Sequence, residues 1–185
     1  MKVIFNKINR ASLVSRSMGL FLVGAMVQPV SELHATEPVA ASFSNHLGSE
    51  EDAFLADLER RCYRYFEETA DLETGLVADR WKTDGSDTWD TAGIAATGFG
   101  LSGHAIAVER GWITKEEGIK RSERILLFMR DKVEHKRGFY YQFLNRRTGA
   151  REPNSPASTI DNALFLAGAI TAAEAFPDSK IPGIV

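Results

Sequence analysis

Two short stretches of this chain set carboxylates beside groups that complement them. Asp79-Arg80-Trp81 places a carboxylate, a guanidinium and an indole side by side after a turn. Indole faces stack on sugar rings, and Asp and Arg side chains bond hydroxyls. A buried Asp79–Arg80 pair with Trp81 in the core is the structural alternative. Ser158-Thr159-Ile160-Asp161 opens an apolar helical run, so Asp161 falls in a first helical turn. There it is either a cleft carboxylate that meets a ligand or a charge that steadies the helix N-terminus. Tyr140 and Tyr141 lie on an extended segment and point to opposite sides, so at most one of them faces a cleft.

Other polar clusters carry less chemistry. Asp84-Gly85-Ser86-Asp87 with Asp90 resembles a calcium loop, but it lacks the alternating acidic positions and closing Glu of an EF-hand, so a solvated loop is expected. His104 and His135 have no second ligand at helical spacing, and no metal site or cofactor is assigned. Cys62 is the single cysteine; it shares a helical face with Leu58, Tyr65 and Phe66 and reads as a buried core thiol.

The elements that position these residues are helical. Phe54, Leu55, Leu58, Cys62, Tyr65 and Phe66 recur at helical spacing, which predicts a first helix over 51–69. Gly75 supplies a positive φ for a turn before Trp81. A second helix is predicted over 91–110, with Asp90 or Thr91 as N-cap and Gly111 as terminator. Thr114 with Glu116 and Glu117 opens a third, to about Lys132, with Ile119, Ile125, Leu126 and Met129 as its stripe. Gly118 inside it costs about 1 kcal/mol relative to alanine. Residues 138–145 read as a short strand or hairpin arm. Ser158 or Thr159 opens a fourth helix, apolar on nearly every side, which ends near Phe176 ahead of Pro177. A helix of that kind needs burial all round, so self-association is expected if it is left open.

The chain has 185 residues, 44% hydrophobic and 25% charged, with a formal charge of −3. That supports one domain with a real core. Lys2, Lys7, Arg10 and Arg16 against Glu32 alone give residues 1–35 a net of +3, so the charge without them is −6. An acidic body without a basic block argues against nucleic acid or an anionic membrane as partner. Residues 1–35 show the order of an export leader: basic residues, the apolar stretch Met18–Val27, then Pro29. That stretch is short of the roughly 20 residues that span a bilayer. A cleaved leader is expected, with an uncleaved anchor as the alternative and no stable membrane insertion of the body. Residues 36–49 read as a linker and 50–185 as the domain.

Five runs, in order, carry a likeness to a known family. They are Phe54–Asp71, Thr74–Trp81, IAATGFGLSGHAIAVERGWI (Ile94–Ile113), Gly138–Gly149 and STIDNALFLAGAI (Ser158–Ile170). Together they resemble the glucoamylase-like family of bacterial secreted proteins, over about residues 50–176. That family has an (α/α)6 toroid fold and includes endo-β-1,2-glucanases. The resemblance implies a sugar cleft lined by loops at one end of the toroid, a β-glucan ligand, and a substrate-binding set of Asp79, Arg80, Trp81, Tyr141 and Asp161.

Three positions depart from the family pattern. Pro156 stands where an acidic residue is expected, Gln142 where a histidine is expected, and Asn162 where a threonine is expected. Proline cannot transfer a proton, so no catalytic residue is assigned. Four helices with long loops are fewer than six helix pairs. The expected fold is all-α, an incomplete (α/α)6 toroid from a truncated and inactive hydrolase-like protein. The alternative is a non-catalytic helical sugar-binding or protein-interaction module. Mass spectrometry of the exported protein is expected to show a new N-terminus between Ser31 and Ala41; an intact Met1 in that fraction would instead support the anchor.

Overall fold

The structure, a computed structural model, describes residues 48–86 and 90–185. The leader and nearly all of the linker expected from the sequence, and Asp87, lie outside the described residues. The chain divides into units Met1–Glu50 and Glu51–Val185, and the second holds the fold. Its helices are α1 (Ser49–Thr69), α2 (Ile94–Glu109), α3 (Lys115–Lys132) and α4 (Thr159–Ala175), close to the predicted four.

Short antiparallel ladders tie the loops together. β1 (Thr91–Gly93) pairs with β4 (Phe143–Asn145), and β2 (His135–Lys136) pairs with β3 (Phe139–Tyr140). The start of the second helix is therefore corrected. Residues 91–93 are strand rather than helix, and the N-cap is Gly93, which has no side chain to give. The reason is long-range pairing: Thr91 and Gly93 exchange backbone bonds with Asp79 and Val77, and β4 takes the other edge. Local helix signals cannot see partners fifty residues away.

The caps of α3 and α4 follow the sequence. Thr114 Oγ1 accepts from the Glu117 amide at 3.2 Å, and Ser158 Oγ accepts from the Asp161 amide at 3.3 Å. Gly75 and Gly111 hold φ of 75° and 68°, a region in which side-chain-bearing residues are strained.

The core lies where α2, α3 and α4 meet the loop ladders. Leu76, Ile94, Leu101, Ile125, Met129, Leu144, Phe165, Phe176 and Ile181 are buried there. Small residues set the spacing. A Cβ on Gly98 would fall 2.6 Å from the Phe165 Cα, and one on Gly168 would overlap the Gly98 carbonyl oxygen. Gly118 is also explained. A Cβ there would sit 2.5 Å from Val108 Cγ2 and 3.1 Å from Phe176 Cζ, so close packing repays its poor helix propensity.

Only the C-terminal half of α1 docks. Phe66 and Tyr63 lie against Gly100 and Gly103 of α2, which turns Tyr63 and Thr69 inward. Cys62 is about 100° round the helix from Tyr63 and is exposed, which corrects its reading as a core thiol. Phe54, Leu55 and Leu58 are exposed as well.

His104 on α2 is buried, 4% exposed, with Nδ1 3.3 Å from Ser122 Oγ and its ring edge-on to Tyr63. Burial, and then the Arg121 charge, push its pKa down to about 3, so it is neutral at physiological pH.

Substituting Gly98→Ala is expected to cost about 2–3 kcal/mol, because a methyl group cannot enter a backbone contact without separating the helices. The urea midpoint of the full chain measures it; an unchanged midpoint would show that α2 and α4 do not touch there.

Candidate functional site

The N-termini of α2 and α4 lie at the same end of the unit. The segment before β4 stitches them together. The Ile94 amide donates to the Gln142 carbonyl at 3.1 Å, and the Gln142 amide donates to the Pro156 carbonyl at 2.8 Å. Asn162, in the first turn of α4, completes the join. Its Oδ1 accepts from the Tyr140 amide at 2.8 Å, and its Nδ2 donates to the carbonyls of Tyr140 and Ser158 at 2.8 and 2.7 Å. Asn162 thus locks the 140–142 segment onto the helix start, a role that its helical position alone did not reveal.

Asp79 stands at the start of α2. Its amide donates to the Thr91 carbonyl at 2.9 Å, and its Oδ1 occupies the space beside the bare Gly93, 2.9 Å from where a Cβ would be. A carboxylate is well placed there, next to a helix N-terminus without a side-chain cap. Arg80 Nε donates to Asp79 Oδ2 at 3.0 Å. The pair lies at the surface, with Arg80 67% exposed, rather than in the core. Tyr65 of α1 supports this strand by donating to the Ala78 carbonyl at 2.6 Å. Burial, then the nearby Asp79 charge, raises the Tyr65 phenol pKa above its usual value.

Trp81 is half-buried, and the Arg146 guanidinium stands 5.7 Å from its ring centroid. Arg146 is the residue that sequence reasoning missed. Its Nη1 donates to the Thr69 carbonyl at 2.7 Å, its Nη2 lies 3.7 Å from Asp90 Oδ1, and its amide donates to the Asp90 carbonyl at 2.6 Å. Its own carbonyl accepts from Thr74 Oγ1 at 2.7 Å. One residue, through its side chain and its backbone, thus joins the end of α1, the turn after it, Trp81 and the loop before β1. The adjacent Arg147 adds a 3.0 Å bond to Asp90. The only signal was its place in the Gly138–Gly149 run, which does not say which arginine is buried.

At the α4 end, Ser158 Oγ donates to Asp161 Oδ2 while accepting the Asp161 amide. Ser158 is thus the N-cap, and Asp161, in the first turn, holds the Ser158 hydroxyl and remains half-exposed. Tyr141 is buried, bridges to Ala157 and carries the Arg151 guanidinium 4.0 Å from its ring centroid. Tyr140 is half-buried, edge-on to Phe165, and burial raises its pKa. All five proposed binding residues thus belong to the end where α2 and α4 begin. Asp79, Arg80 and Trp81 flank α2, Tyr141 and Asp161 flank α4, and among the described residues no hydrogen bond joins the two groups directly.

Asp84 forms a local turn, its Oδ1 accepting from the Ser86 amide at 2.9 Å, and the Ser86 side chain first, then this amide, lowers its pKa. Among the described residues no three His, Cys, Asp or Glu side chains converge on a metal-sized site. No described helix is long and apolar enough to cross a membrane.

Comparison with known proteins places this arrangement. No protein-family profile matches the chain. It is 28% identical over 131 residues to an exo-β-1,2-glucooligosaccharide sophorohydrolase of Parabacteroides distasonis, covering 68% of this chain and 18% of that protein. A glucoamylase-like protein of Bacteroides caccae superposes with a TM-score of 0.65 at 26% identity, covering 72% of this chain and 34% of its own. A β-1,2-glucanase of Parabacteroides distasonis superposes with a TM-score of 0.60 at 26% identity, covering 75% and 20%. The chain therefore spans only a minor part of the proteins it matches. Over that part, its four helices have the fold of an incomplete (α/α)6 toroid, like those glucoamylase-like neighbours.

Proposed function

We propose that this chain supplies part of the sugar-facing wall of an exported, β-1,2-glucan-directed, glycoside hydrolase-like protein, and binds rather than cleaves. The observation that carries the reading is the alignment of Asp79, Arg80, Trp81 and Asp161 along the joined starts of α2 and α4. The names of the matched relatives supply the glucan linkage.

In this reading Trp81, backed by Arg146, offers a ring face for stacking. Arg80, two-thirds exposed, and Asp79 bond hydroxyls. Tyr141, capped by Arg151, contributes at its edge rather than by its face. Cleavage needs a general acid and a second carboxylate about 5–10 Å apart across the glycosidic bond. Asp161 is engaged by Ser158, Asp79 by Arg80, and Pro156 has no proton to give. Orientation without proton transfer yields little rate.

A second reading, self-association, rests on a different observation. Leu166 and Ile170 are one turn apart on α4 and are 45 and 48% exposed, and Ile160 in its first turn is 65% exposed. Burying such a stripe is worth about 25 cal/mol per Å² of apolar area.

Two outcomes are expected of the purified chain. It should release no appreciable reducing sugar from linear β-1,2-glucan; turnover that vanishes in Asp161→Asn would overturn this and make Asp161 catalytic. It should also show concentration-dependent association in sedimentation velocity that weakens in Leu166→Glu. A monomer that ignores a hydrophobic dye would refute the second reading.

A further inference from the structure

A cleft of about 140 Å³ opens between α1, the turn after it, and α3, with His104 of α2 also lining it. None of the five proposed sugar-binding residues lines it. Its polar groups are Glu67, Asp71, His104, Glu117, Arg121 and Arg124.

The acidic groups are already engaged. Glu67 pairs with Arg60 Nη1 at 2.6 Å and with Arg121 Nη1 at 3.5 Å. Glu117 Oε1 accepts from Arg121 Nε at 2.8 Å, and that bond lowers its pKa. Asp71 Oδ1 accepts two backbone amides at 2.9 Å each, from Glu73 and Thr74.

The donors are not all engaged. Arg124 is half-buried and makes no hydrogen bond or ion pair among the described residues. It follows Lys120 and Arg121 on α3, and Glu117, whose carboxyl feels its charge, is hydrogen-bonded to Arg121 instead. The Ser122 hydroxyl has one partner among the described residues, His104 Nδ1. As donor to Nδ1 it leaves the proton of the neutral ring on Nε2, which has no partner among those residues. A neutral ring in this place agrees with its depressed pKa.

We propose that this cleft binds a small oxyanion, a phosphate or a carboxylate, held by the Arg124 guanidinium with His104 Nε2–H as the second donor. Guanidinium with an oxyanion is among the stronger charge-assisted pairings, and a concave, partly dry site strengthens it. The volume is that of roughly five waters at about 30 Å³ each, which suits one such group rather than a sugar chain. Arg121 stays bound to Glu117 and Glu67 and orients the cleft rather than gripping the ligand. The site is independent of the sugar reading.

Inorganic phosphate titrated into the full chain at constant ionic strength tests the proposal, with the His104 imidazole signals followed by NMR. A saturable shift of the Nε2–H signal is expected, with affinity weakened roughly tenfold or more in Arg124→Gln and largely kept in Arg124→Lys. Acetate in place of phosphate separates the ligand types. Binding of phosphate alone assigns a tetrahedral anion, and binding of both assigns carboxylates as well. The absence of a saturable shift with either anion, or one of equal strength in Arg124→Gln, would overturn the site. Arg124 is part-exposed and unpaired, so its substitution leaves the core untouched, and the amide spectrum of each variant verifies that.

Discussion

The direct backbone contact between α2 and α4 sets the position of everything else. Gly98 lies on Leu164 and Phe165, and Gly168 lies on the Gly98 carbonyl, with no side chain between them. Helices usually stand 8–10 Å apart, and the lower end demands small residues at the crossing. Approach at this range gathers the two helix starts at one end, where a single peptide segment can bond to both. Gln142 does so through its amide and carbonyl, and Asn162 secures the neighbouring Tyr140. Were the helices a methyl further apart, those bonds would stretch beyond use.

The loops on this frame are held by polar anchors more than by apolar area. Arg146 is the central one, 11% exposed at its side chain and bonded to the last turn of α1. Its Nε is a buried polar atom without a partner among the described residues. A guanidinium so placed relies on its other bonds and on the Trp81 face to offset desolvation. The candidate sugar residues therefore depend on a group that touches no sugar. Asp79 and Asp161 also place negative charge at the starts of α2 and α4.

Charge is arranged differently between α1 and α3. There the ion pairs alternate from Arg60 through Glu67 and Arg121 to Glu117, and Arg124 stands beyond the last carboxylate. Partly buried pairs are less screened than surface ones, so an arginine beside them without a hydrogen-bonded partner among the described residues carries more weight than a surface lysine. The neutral His104 beneath them leaves the net charge of the cleft to its arginines and carboxylates.

Much of this was legible in the residue order. Four helices follow from apolar spacing, because a helical period is a local property. Thr114 and Ser158 cap where expected, and Gly75 and Gly111 turn where expected, because caps and positive φ are decided within a few residues. The fold class was also readable from the five ordered runs. Tertiary structure decided the rest. Residues 91–93 became strand because their partners lie at 77–79 and 143–145. Cys62 faces solvent because Gly100 and Gly103 accept Phe66 and Tyr63 instead. Arg146 was buried beside Trp81, and Arg124 left unpaired, by which chain segments happened to meet. Period and caps are written in neighbouring residues, whereas burial and pairing belong to residues far apart, and only packing brings those together.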